Sequence, residues 1–142
     1  MKKNLYLLLL TALVSAAGCK KVTTAPPPLP VGKFTGVFTR IHYSNTTHKL
    51  DTATANLTLN LSASTGYSVT GDTTTVHAGS HGSYVVDGYN IQFIDQTLKP
   101  NTPLYPGKTH LAGIFNYVYT DTRLQFGASN DTLYVSYNLQ PQ

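Results

Sequence analysis

The sequence predicts an all-β fold, a small antiparallel up-and-down barrel of about eight strands. Three observations predict it. From Val31 onward apolar and polar residues alternate at period two, and no stretch keeps helical spacing for three turns. Turn-forming Gly, Asp, Asn and Ser residues punctuate the alternation at the spacing of successive hairpins. The composition, with 10 Tyr, abundant Thr and 11% charged residues, suits a pleated, half-buried surface better than a helix. Clean alternation marks antiparallel sheet with one face on a core and one in water. Closure into a barrel also removes exposed sheet edges. A β-sandwich is the alternative, although a chain with 1 Cys and no Trp lacks the paired cysteines around a buried Trp that mark some sandwiches.

Residues 1–18 have the layout of a secretory signal. Lys2 and Lys3 make a positive start, Leu5 to Val14 form an apolar run, and Ser15-Ala16-Ala17-Gly18 bring small residues up to Cys19. The run is too short to span a bilayer comfortably as a helix, so a cleaved signal is expected. A lone cysteine in an exported chain has no internal disulfide partner. Ala16-Ala17-Gly18-Cys19 resembles the lipobox of bacterial lipoproteins, with Ala16 where Leu or Val is commoner. The resemblance implies a diacylglycerol on the Cys19 thiol, cleavage before it and acylation of the new amino group. Three acyl chains exceed the two signals that stable membrane anchoring takes. Lys20 and Lys21 follow, with no Asp at the second position to signal inner-membrane retention. The expected location is therefore the periplasmic face of the outer membrane.

Residues 19–30 read as a lipidated, Pro-rich tether. Pro26, Pro27, Pro28 and Pro30 bias it to extended polyproline geometry, which at roughly 3.1 Å per residue reaches some 30 Å. The domain is expected over residues 31–142. Strands are predicted at Phe34 to Tyr43, at Leu57-Thr58-Leu59-Asn60-Leu61, at Tyr67 to Thr70 and at Tyr84 to Val86. Further ones are predicted at Tyr89 to Phe93, Leu111 to Tyr119, Arg123 to Phe126 and Leu133 to Leu139, with Thr74 to Ala78 as a short addition. Asp87-Gly88 is a hairpin signal, read as a type I′ turn with positive φ at both positions. Ser64 to Gly66, Gly71-Asp72, Thr120 to Thr122 and Ala128 to Asp131 are also turn chemistry. The one long connection, 95–107, holds Pro100, Pro103 and Pro106 and is expected to lie as a lid across one end of the sheet.

Gly32-Lys33-Phe34-Thr35-Gly36 on the first strand resembles a degenerate lipocalin opening, Gly-x-Trp, with Phe34 in place of Trp. The later rhythm of Gly82-Ser83-Tyr84, Asn90 to Phe93, Leu111 to Tyr117 and Tyr134 to Leu139 is similar to small lipocalin-like lipoproteins of Gram-negative bacteria. The resemblance implies a basic residue closing over the opening aromatic, with Arg123 stacked on Phe34 as the nearest candidate.

Charge and residue types narrow the function classes. The chain has a net charge of +4, and about half of it leaves with Lys2 and Lys3. No basic block follows the tether, so no nucleic-acid partner is expected. There is no Glu, and five of the six Asp, at positions 51, 72, 87, 121 and 131, fall in predicted turns; Asp95 alone has an inward view. No catalytic residue and no cofactor are expected. His77 and His81 stand four apart, a metal spacing only on a helix; in a Gly-rich turn a solvated or capping role is expected, and no metal. Leu59, Phe93, Phe115 and Tyr137 are expected to share the barrel interior. An eight-stranded barrel is just wide enough to be filled by its own side chains or to hold one small ligand. The four residues are therefore the candidate ligand-binding set, and the shortness of the domain favours a filled interior. Asp51-Thr52-Ala53, Asp72-Thr73-Thr74 and Asp131-Thr132-Leu133 resemble the acceptor motif of a bacterial O-glycosylation system. That resemblance implies modification of Thr52, Thr73 and Thr132, all in predicted turns. The function expected is non-enzymatic: a membrane-anchored envelope lipoprotein binding a small apolar or amphipathic ligand. The alternative is a structural or protein-interaction module acting through its surface and the 95–107 loop.

Overall fold

The alternating segments form eight antiparallel strands: β1 (Gly32–Ser44), β2 (Lys49–Ser62), β3 (Gly66–Gly71), β4 (His81–Asp87), β5 (Asn90–Asp95), β6 (Gly113–Thr120), β7 (Arg123–Ser129) and β8 (Leu133–Pro141). The computed structural model describes residues 28–99 and 107–142. The signal segment, Cys19, most of the tether and Pro100, Pro103 and Pro106 lie outside the described residues. Each strand pairs with the next, and β8 returns to β1 from Phe34↔Pro141 to His42↔Leu133. The sheet is a closed up-and-down barrel; the two-sheet alternative does not occur.

Side-chain parity builds the core. On β2, Ala55, Leu57, Leu59 and Leu61 are buried while Asn56 and Asn60 face water. The same alternation on β5, β7 and β8 buries Ile91, Phe93, Leu124, Phe126, Val135, Tyr137 and Leu139. Each such side chain contributes about 1.5–3 kcal/mol of transfer free energy. The outer wall is carried largely by Thr, Ser, Asn and Gln, the reverse of a lipid-facing barrel.

The two ends are closed differently. At the tether end, where β1 begins, the buried Pro30 carbonyl accepts a hydrogen bond from Tyr84 Oη at 3.0 Å, and Phe34 meets Tyr119 edge to face at 5.9 Å. At the far end, two connections, 72–80 and 96–112, join. Ala78 N–H donates to Thr109 O at 2.8 Å, Thr109 N–H donates to Val76 O at 2.9 Å, and His77↔Thr109 is a parallel bridge. Arg40 Nη1 donates to Gly107 O at 3.1 Å from the inner face of β1.

Several local expectations are corrected. Thr74 to Ala78 is not a strand but part of the far-end stopper, because it has one bridge and no continuing ladder. Leu111 precedes β6 rather than lying in it, yet is fully buried. Tyr89 is 84% exposed, since the β4–β5 hairpin closes at Asp87↔Asn90 and puts Gly88-Tyr89 in the turn. Only Gly88 there has positive φ (57°), so the turn is of the kind with Gly at its first central position, not type I′. Arg123 cannot stack on Phe34. It is exposed beside the inward Leu124, while Phe34 points inside, where Tyr119 takes the expected place. Asp51 and Thr52 lie within β2, which runs well past the predicted Leu57 to Leu61.

Candidate functional site

Strand parity brings the four predicted interior residues together. Leu59, Phe93, Phe115 and Tyr137 belong to one buried cluster and are at most 4% exposed. Phe115 lies 5.9 Å from Phe93 and 6.0 Å from Tyr137 in edge-to-face contacts, and Phe126 stacks on Tyr137 at 4.4 Å. Side chains lining a ligand-sized void would offer surface to a water-sized sphere; these offer almost none. Aromatic pairs in such geometries add about 0.5–1.5 kcal/mol each beyond their burial. One polar atom in this core is left over: Tyr117 Oη is buried without a hydrogen-bond partner. Burial also pushes its phenol pKa up.

A polar layer lies between this core and the far-end stopper. His77, fully buried, has Nδ1 2.6 Å from Ala78 O and Nε2 2.9 Å from Tyr137 Oη. A carbonyl only accepts, so Nδ1 carries the proton and Nε2 accepts from the tyrosine. Burial lowers the His77 pKa to about 4, outweighing the raising effect of the Ala78 carbonyl. Tyr67 Oη donates to Leu111 O at 2.5 Å, and Leu111 N–H donates to Ser80 Oγ at 3.3 Å. Burial pushes the phenols of Tyr67 and Tyr137 upward. Asp95, whose side chain is fully shielded, accepts from Thr97 N–H and Thr97 Oγ1 at 2.6 Å and meets His110 Nδ1 at 2.7 Å. Burial alone would raise its carboxyl, but the Thr97 and His110 contacts bring it below the usual value. The inward view expected for Asp95 is thus found, and the pair ties the start of the 96–112 connection to its end.

His77 is where the sequence misleads: it is a core residue rather than a solvated one. The signal was faint, a Val76-His77-Ala78 triplet of low polarity amid Thr, Gly and Ser. His81 sits exposed on β4. Among the described residues no group of three or more His, Cys, Asp or Glu lies together as a metal site would require.

A groove lies outside the core, at the seam between β3 and β4. These strands share two residue pairs, Tyr67↔Gly82 and Ser68↔His81, whereas β4 and β5 share six. The β2–β3 turn leaves β3 no residues to set against Tyr84–Asp87. Gly66 (φ 81°) allows that turn to press on β4, since a Cβ there would lie 2.0 Å from Gly82 O. The resulting groove, about 680 Å³, is lined by Asn60, Ser62 to Ser68, His81 to Val86, Gln96 and Leu29.

The three acceptor threonines are dispersed. Thr52 is exposed on β2, outside any turn; Thr73 and Thr132 are half-buried in the connections after β3 and β7. Thr132 O also accepts from Tyr43 N–H at 2.7 Å. No family model matches the chain, and neither a curated protein nor a solved structure matches it.

Proposed function

We propose that the protein is an envelope lipoprotein, anchored through acylated Cys19 on the periplasmic face of the outer membrane, whose barrel acts through its outer surface rather than as an enzyme or carrier. The observation that carries this reading is the occupied interior, where Phe93, Phe115, Phe126 and Tyr137 close on one another at 4.4–6.0 Å. The tether's last residue supports it too: Pro30 is fastened to the barrel through Tyr84, so the walls and the far end stay open to a partner.

The second reading, a binder of a small apolar or amphipathic molecule at Leu59, Phe93, Phe115 and Tyr137, is favoured by one observation: the unpartnered Tyr117 hydroxyl inside the core, which a ligand's polar group would satisfy. An apolar fluorophore titrated into wild type and Phe115→Ala separates the two. With a filled core, wild type binds no dye, and truncation leaves a cavity costing about 3–5 kcal/mol, much of a small domain's stability. Dye binding by wild type with a Phe115→Ala melt close to wild type would overturn the surface reading.

A further inference from the structure

We infer that the open edge of β4 at the β3–β4 seam is a docking site for one extended, uncharged peptide segment of a partner protein, which adds to the barrel wall as a strand. The proposal rests on the reading that the domain acts through its surface and names where and with what. Its basis is an accounting of backbone groups. Ladder phase on β4 is fixed by the Asp87↔Asn90 hairpin closure and by Gln96 N–H donating to His81 O at 2.9 Å. In an antiparallel ladder consecutive residues bond to opposite neighbours. Ser83, Val85 and Asp87 therefore bond to β5, while Gly82, Tyr84 and Val86 face the β3 side. Gly82 is taken by Tyr67. Tyr84 and Val86 present N–H and C=O groups into the groove, with no backbone partner among the described residues.

Proteins usually blunt such an edge with charge, proline, a bulge or a cover. The contrast within this barrel is direct. The early part of β2 also lacks a β3 partner, because their pairing begins only at Leu57↔Gly71, but it carries Lys49 and Asp51. Ser83-Tyr84-Val85-Val86 carries no charge and no proline and has strong strand propensity. Among the described residues no Lys, Arg, Asp or Glu lines the groove, and the one imidazole there, His81, stands on the stretch of β4 already paired with β3. A charged segment would lose water there without gaining a partner, so the occupant is uncharged. Four residues of edge, Ser83 to Val86 ahead of Asp87 at the hairpin, span about 14 Å, so it contributes about four residues. Val85, 55% exposed, and Leu29, 46% exposed, supply apolar contacts for alternate side chains, the usual division in strand addition between backbone affinity and side-chain specificity. The β2–β3 turn walls the groove opposite β4, which suits a single strand better than a second barrel.

Backbone amide exchange on the full mature protein tests the first half. Tyr84 and Val86 amides should exchange at least tenfold faster than Ser83 and Val85. Equal protection at all four would mean the edge is already satisfied and would overturn the proposal. The second half uses a displayed library of random seven-residue peptides selected on the protein. Enriched peptides should be uncharged, with β-branched or aromatic residues at alternate positions. A synthetic enriched peptide at saturation should slow Tyr84 and Val86 exchange tenfold or more. Val85→Lys, an exposed change that leaves the core alone, should weaken its binding at least tenfold with an unchanged melt. Absence of enrichment, protection elsewhere, or a dimer that Val85→Lys dissolves would each overturn it. The dye titration fails independently, because Phe115 lies in the interior and Val85 on the wall: dye binding that Phe115→Ala alters and Val85→Lys leaves unchanged reports the interior, and the reverse reports the edge.

Discussion

His77 is held neutral by its surroundings. Its Nδ1–H is given to Ala78 O, its Nε2 is filled by Tyr137, and burial resists charge, so its pKa is lowered to about 4. The consequence for stability has a definite sign. Above pH 6.5 the ring is neutral whether folded or not, and the contribution is fully present. Between pH 6.5 and 4 the unfolded chain takes a proton that the folded one refuses, so stability falls with pH by up to roughly 3 kcal/mol and then levels. Asp95, whose pKa is lowered, adds a loss only below the ordinary carboxylate range. Urea midpoints from pH 7.5 to 4 should show this slope, and His77→Gln should flatten it; an unchanged slope in the variant would refute the assignment. The sequence could not show this residue's place. Parity reports which way a strand residue points, but 72–80 folds back into the barrel mouth without any period to reveal it. For Leu59, Phe93, Phe115 and Tyr137, by contrast, parity sufficed to put all four in one interior.

At the scale of elements, the eight strands were legible because burying one face imposes an alternation that a one-residue slip would destroy. Their ends were less so. Alternation marks only five residues of β2, because its first part, Lys49 to Thr54, has little of it; pairing with β1 carries the strand on, not burial. The β3–β4 seam was illegible for a similar reason: nothing in the composition of Tyr67 to Thr70 tells that its pairing with β4 goes no further along β4 than Gly82. Gly82 is the hinge of that seam. A Cβ on it would lie 1.9 Å from Ile94 O, and the obstacle is backbone held in the β4–β5 ladder. Gly82→Ala should cost about 2–3 kcal/mol. Gly79→Ala should cost under about 1 kcal/mol, because there a Cβ meets only the Thr73 side chain at 3.5 Å. Thermal melts of the two variants side by side check the contrast.

For the whole molecule, the lipidation motif and the barrel are separable claims. Cys19→Ser should move the mature protein from membrane to soluble fraction, with a lipid-sized loss of mass and an unchanged melt. Membrane retention by the serine variant would remove the anchor while leaving the fold intact. Among the described residues no helix is long and apolar enough to cross a membrane. The closure of β8 onto β1 carries one more consequence, a kinetic one. Seven of the eight pairings join strands adjacent in sequence, but Phe34 meets Pro141 across more than a hundred positions. Local hairpins form with little loop entropy to overcome, whereas this junction must gather nearly the whole chain before it returns any energy. The ring therefore joins late, and the folding rate is governed by the encounter of the chain's two ends rather than by any of the turns between them.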